Sequence, residues 1–187
     1  MLSAVGVRAV GGLDTDGASL ASEAERWLDR ELLRIQSQGW HYNIRYDVDL
    51  APDGDGYIIP GTDTIWIDSD RDDSGTDVAL VGGKLYNKDE NTFVFDETIT
   101  VRDCRLFDFA CIPHPVRDYI LKSAAHRFAR AVKRELRLDP AAMADIESDL
   151  LLAQTAAHQF DNDSSNDNVL ETVEGLRLRG NYGAVVR

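Results

Sequence analysis

Apolar residues recur along this chain with two different periods, and the switches between them predict its elements. Leu2 to Val10 can form a short helix, stopped by Gly11 and Gly12. Ser22 followed by Glu25 resembles a capping box, and Ala24, Trp27, Leu28, Leu32 and Ile35 then recur at helical spacing, with Gly39 as a natural stop. Arg26, Asp29, Arg30 and Arg34 fall on the opposite face, so this is an amphipathic helix that buries one stripe. At Trp40 the period changes to two: Trp40, Tyr42, Ile44, Tyr46, Val48 and Leu50 are apolar and every residue between them is polar. That alternation predicts a single half-buried strand over residues 40–50. Short strand candidates follow in YII, TIWID, DVALV, KLY, TFVF and TITVRDCRLF, separated by APDGDG, Gly82-Gly83 and NKDEN as tight connections. The last candidate loses its alternation near Arg102 and Asp103, which predicts a bulge there.

Helical spacing returns after Pro113 and Pro115, because proline is tolerated in a first turn. Val116, Tyr119, Ile120, Ala124, Phe128, Val132 and Leu136 line one face of this helix. Asp139 and Pro140 form an N-cap and first-turn pair for a last helix, with Met143, Ile146, Leu150, Ala153, Ala157 and Phe160 on one stripe. So short a connection makes the two helices antiparallel neighbours. From Asp161 the chain is polar and then sparsely apolar, which fits an extended arm ordered by a partner. The predicted class is α+β: a helical bundle of N-terminal helices (residues 1–39) and two long antiparallel C-terminal helices (112–160), with an inserted antiparallel β unit (40–111) and a C-terminal arm (161–187).

A length of 187 residues suits one ordinary domain with an insertion. The formal charge of −13 argues against a nucleic-acid binder, since such binding is driven by Lys and Arg displacing counterions from phosphates. An acidic wall repels DNA, which suits a conduit through which DNA slides without sticking. Cys104 and Cys111 are too few for a disulfide scaffold and lack zinc spacing, so free thiols are expected. Arg8 interrupts the N-terminal apolar stretch and no small-residue cleavage site follows, so no signal peptide is read. No apolar run approaches the roughly 20 residues that span a bilayer, and no membrane association is expected.

Candidate chemistry is thin. Asp163, Ser165, Asp167, Leu170, Glu171 and Glu174 match ligand-loop positions of a calcium-binding helical hand, but Asn168 stands where the turn glycine is wanted and Gly175 damages the exiting helix. A calcium-responsive binding module using this acidic C-terminal segment is the alternative reading of the chain. A second acidic cluster, Asp68, Asp70, Asp72 and Asp73, has Ala79 where the bidentate glutamate belongs, so it is a solvated loop. Gly82-Gly83-Lys84 lacks the remaining spacing of a phosphate loop and is a hairpin turn instead. His41, His114, His126 and His158 are scattered without zinc spacing, and Cys111 has no neighbouring base. No catalytic residue, metal site or cofactor is expected.

Charge placement carries more. From Arg117 to Arg137 there are seven Lys/Arg (Arg117, Lys122, Arg127, Arg130, Lys133, Arg134, Arg137) against Asp118 and Glu135, a balance of +5, whereas Asp139 to Phe160 holds four acids and no Lys/Arg. Part of this is helix-dipole complementation and attraction between the two helices. The sharper expectation is that Lys122, Arg127, Arg130, Lys133, Arg134 and Arg137 meet an acidic face on the next subunit of a ring. Ten acids against Arg71 alone between Asp47 and Asp77 supply such a face on the same molecule.

Three runs, RIQSQGWHYNIRYDVDLAPDGDGYIIP, VGGKLYNKDENTFVFD and IPHPVRDYILKSAAHRFARAV, resemble in the same order the tail tubular protein A family, the adaptor proteins of short-tailed phages. The likeness lies in the Q-S-x-G-W-x-x-N stretch, the G-G-x-x-Y hairpin and the helix with an A-x-R-F core, and it spans residues 20–160. It implies a dodecameric ring in the virion neck, beneath the portal protein, receiving the tail nozzle (tail tubular protein B) on its other side and offering a rim for tail fibres. DNA would pass through the lumen without specific binding. It further implies that residues 161–187 embed in the portal, with Leu170, Val173, Leu176, Arg177, Leu178, Arg179 and Tyr182 as contacts. The chain begins inside what resembles the first family helix, so thinner packing is expected there.

Overall fold

The computed structural model describes residues 15–69, 76–136 and 140–164, with side chains over 20–69, 76–131 and 140–163. The fold is α+β, with three α-helices and antiparallel strands among the described residues. The order is α1 (Thr15–Gln36), β1 (Ile44–Leu50), β2 (Thr64–Asp68), β3 (Val78–Val81), β4 (Lys84–Asn87), β5 (Ile99–Arg105), a short 3-10 turn (Phe109–Cys111), α2 (His114–Leu136) and α3 (Pro140–Ser164). Contacts divide the chain into two compact units, one formed by Met1–Leu28 with Pro113–Arg187 and the other by Asp29–Ile112. The division therefore falls within α1 and not at its end. The candidate helix Leu2–Val10 and the cap Asp139 lie outside the described residues. No helix among the described residues is long and apolar enough to cross a membrane.

In the helical unit, α2 and α3 run antiparallel: Lys122 meets Asp149, His126 meets Glu147, and the rings of Tyr119 and His158 lie 6.1 Å apart. Phe128, Ala129 and Met143 form a buried cluster with Ala24 of α1, against which Leu20, Trp27 and Ile146 pack. Val116, Ile120 and Ala124 are fully enclosed as the spacing predicts. Helix α1 begins at least seven residues before Ser22, which is inside the helix and exposed, so the apparent capping box is not its start. Ala18, Ser19 and Leu20 leave helical geometry uninterrupted, and Leu20 gains burial by extending it. Helix α3 likewise runs four residues past Phe160.

In the β unit, β5 is the central strand of a three-stranded sheet in the order β1-β5-β2, and β3 and β4 form a separate hairpin. Gly82 and Gly83 have φ of +59° and +79°, the doubly left-handed turn that matches hairpin twist, with Val81 opposite Lys84. Ile58, Ile67, Val78, Leu85, Phe95 and Val101 make the core, joined by Val48, Leu50, Leu80 and Ile99. Two strand candidates shrink to single bridges, Tyr57 with Val94 and Asn87 with Thr92. The cause is local: Asp53 Oδ1 accepts from the Asp55 and Tyr57 amides, and Asn87 Oδ1 from those of Asp89 and Glu90, so tight turns consume the residues that would pair.

The bulges lie opposite the predicted place. Strand β5 is continuous through Asp103; the extra residues are in its neighbours, between Arg45 and Val48 of β1 and between Thr64 and Trp66 of β2. Asp47 at φ 52° marks the first. Because paired residues share a face, Ile44 lies on the side of Cys104, whereas Val48 and Leu50 lie on the side of Val101 and Ile99. The even-numbered stripe thus changes faces halfway, and Tyr46, at the crossover, is 63 % exposed.

Candidate functional site

The Q-S-x-G-W-x-x-N stretch is the device that ends α1 and joins it to the sheet. Gly39 takes φ +76°, and a Cβ there would stand 3.0 Å from both Ile44 Cδ1 and Trp66 Cζ2, so glycine is favoured by backbone and space alike. The chain then turns back instead of extending, since the Asn43 and Ile44 amides both donate to the Trp40 carbonyl. This is why the first strand begins at Ile44 and not at Trp40. The indole of Trp40 is buried, and its Nε1 donates to the Ile35 carbonyl at 2.7 Å. Asn43 is also buried; its Oδ1 accepts from the Trp40 amide at 2.7 Å, and its Nδ2 donates to the carbonyls of Gln36 and Arg105 at 3.0 and 2.9 Å. Gln36 completes the arrangement with a two-way bond to the Phe107 backbone, donating from Nε2 and accepting at Oε1, each at 2.9 Å. Orphan carbonyls at a helix end are thereby satisfied by side chains.

Asp103 is the second buried polar centre, and the alternation gave no sign that it is enclosed. Its Oδ2 accepts from Arg45 Nη2 at 2.6 Å and Arg105 Nε at 2.9 Å, while Oδ1 accepts from Arg45 Nε at 2.9 Å. Arg105 continues to Asp63, so β1, β5 and the loop before β2 are tied by one charge network. Burial by itself would push the Asp103 carboxyl up; the hydrogen bond and charge of Arg45, with Arg105, outweigh it and hold the group below its ordinary value. The neighbouring Cys104 thiol is buried and pushed up to about 11, by burial and then by Asp103, so it is an inert packing group donating to the Gln36 carbonyl. Both cysteines are free, as expected.

The six basic residues expected at a subunit seam separate in the structure. Lys122 Nζ donates to Asp149 Oδ2 at 2.8 Å within the same chain, and that bond, with the Asp149 charge, raises the Lys122 pKa. Attraction between the two helices therefore accounts for this position. Arg127 and Arg130 are exposed on α2. The side chains of Lys133 and Arg134, and Arg137 as a whole, lie outside the described residues. Because the Lys122–Asp149 pair is solvated, a double-mutant cycle with Lys122→Ala and Asp149→Ala should give a coupling below about 1 kcal/mol in thermal denaturation. A coupling several times larger would show that the pair is not solvated in the intact protein.

The proposed arm contacts Leu170, Val173, Leu176, Arg177, Leu178, Arg179 and Tyr182 also lie outside the described residues, as do five of the six residues of the calcium-loop match; Asp163 is in the last turn of α3. Among the described residues no group of three or more His, Cys, Asp or Glu could hold a metal ion. An open groove of about 440 Å³ in the β unit is lined by Leu33, Ser37, Thr62, Asp63, Ile65 and Leu106, and contains the buried Thr64 hydroxyl, which has no hydrogen-bond partner. What the spacing did not single out is the outer face of α3. Leu151 and Leu152 are 64 % and 68 % exposed, although Ala153 and Ala157 of the same helix are buried.

Gln36, Asn43 and Asp103 are thus engaged in bonds that hold the turn and the sheet together. The model of the tail tubular protein family matches residues 1–167, and the chain belongs to that family. A structural role in a phage tail follows from this membership. No curated protein matches the chain.

Proposed function

We propose that this protein is the adaptor subunit of a short-tailed phage, a dodecameric ring in the neck that joins the capsid portal to the tail nozzle and lets DNA pass. The observation that carries the reading is the family match over residues 1–167, taken with the ordered run of motifs from residue 20 to 160. In this reading residues 161–187 form the arm that attaches to the portal through Leu170, Val173, Leu176, Arg177, Leu178, Arg179 and Tyr182. Several such arms acting together raise the effective concentration for each, so modest single contacts hold the joint. The formal charge of −13 supports a lumen that does not retain DNA. The nozzle protein and the tail fibres are the partners on the remaining surfaces, and the protein acts as a scaffold, without catalysis or cofactor.

Electron microscopy of the full-length protein mixed with portal should show rings seated on one end of the portal. Removing residues 165–187, which leaves every described helix and strand in place, should preserve the melting temperature and abolish seating. Undiminished attachment by the truncated chain would take the arm out of the mechanism, and a chain that stays monomeric beside portal and nozzle would end the adaptor reading.

A further inference from the structure

Helix α3 has apolar side chains on two faces. Met143, Ala153 and Ala157 face inward and are buried, while Leu151 and Leu152 stand out in solvent between the small or polar Ser148, Thr155 and Ala156. Isolated exposed leucines are ordinary on a protein surface, but two adjacent ones at nearly two-thirds exposure form a continuous apolar step. A helix that is apolar on its outer side is normally covered by something.

Charge indicates the occupant. Between Pro140 and Ser164 the helix carries Asp145, Glu147, Asp149, Asp161 and Asp163 and no Lys or Arg; Glu147 and Asp149 meet His126 and Lys122 of α2, while Asp145 is exposed about two turns before Leu152. In the same helical unit, α2 presents Arg127 and Arg130 beside Ala131, all exposed. An acidic, leucine-centred face and an exposed basic side chain on another helix of the same unit can serve as the two halves of a head-to-tail contact, and arginine stems can cover leucine while their guanidinium groups reach carboxylates. We infer that the outer face of α3, centred on Leu151 and Leu152 and rimmed by Asp145, is the seam that receives Arg130 of the next copy of this chain. This rests on the ring reading above. It moves the acidic half of the seam from the Asp47–Asp77 stretch to α3.

Three variants of the full-length protein test it, read by sedimentation and by electron microscopy alongside melting temperature. Leu151→Ser with Leu152→Ser, Arg130→Glu alone, and Asp145→Arg alone should each keep the melting temperature and raise the concentration needed for rings about tenfold or more. Mixing the Arg130→Glu chain with the Asp145→Arg chain should restore rings. Every seam in an alternating ring then pairs opposite charges, and an ion pair within one chain could not produce that rescue. Rings formed at the wild-type concentration by the leucine variant would overturn the inference while leaving the ring reading intact. The inference also fails if the leucine variant forms normal rings but does not seat on portal, or forms them while residues 165–187 become newly cleavable by protease, because the face would then belong to the portal or to the chain's own tail. A wild-type chain that forms no rings, alone or with portal, would remove the ring reading itself.

Discussion

Trp40→Ala is expected to lower the stability of the β unit by about 3–5 kcal/mol. The indole is 2 % exposed and sits at the turn where α1 gives way to β1, so its removal leaves a cavity that close backbone packing cannot refill. It also removes the shorter of two bonds to the Ile35 carbonyl, the 2.7 Å bond from the indole, and leaves that carbonyl with the Gln38 amide at 3.2 Å. Chemical denaturation should show the midpoint falling without a change in slope, and hydrogen exchange should show the loss first around residues 33–50. A cost under about 1 kcal/mol would mean that the turn is held without the ring.

Asp103→Asn is expected to cost about 3 kcal/mol near neutral pH and to flatten the acid side of the stability curve. The carboxylate is 1 % exposed, with Arg45 and Arg105 both bound to it, so the neutral amide leaves Arg45 without its counter-charge and Arg105 with Asp63 alone. The direction with pH follows from the lowered folded pKa. Such a group contributes stability that is fully present above its unfolded value, about 3.9, and is lost as pH falls through the lower folded value. Wild-type protein should therefore lose melting temperature faster than Asp103→Asn between about pH 5 and pH 2. Parallel curves would show that Asp103 is not ionised and paired in the native state.

Trp40 and Arg45, the latter a partner of Asp103, both belong to the stretch that carried the family resemblance, and the structure gives that stretch a physical role. Gly39, Trp40 and Asn43 are spaced as they are because a left-handed residue, a filling ring and a two-ended amide must follow a helix end in that order. The motif was visible in the chain, but its purpose was not, since the carbonyls that Asn43 bonds belong to Gln36 and to Arg105, the latter 62 residues away.

Local signals in the sequence determined the α+β class, the helix faces, the Gly82-Gly83 hairpin and the free state of both cysteines, because helical spacing, proline and paired glycines act within a few residues of themselves. They also supported the assignment to a tail-protein family, since order and spacing of motifs persist without any contact being known. Only the tertiary structure decided that β5, last in the chain, is central, that the bulges fall on its neighbours, and that Asp103 is buried. Each depends on which strand lies beside which, and a long-range pairing leaves no trace in the alternation of one strand. The exposed leucines of α3 are a case of the same kind. By composition they belong to a core, and only the packing of α2 against the other face of the helix leaves them outside.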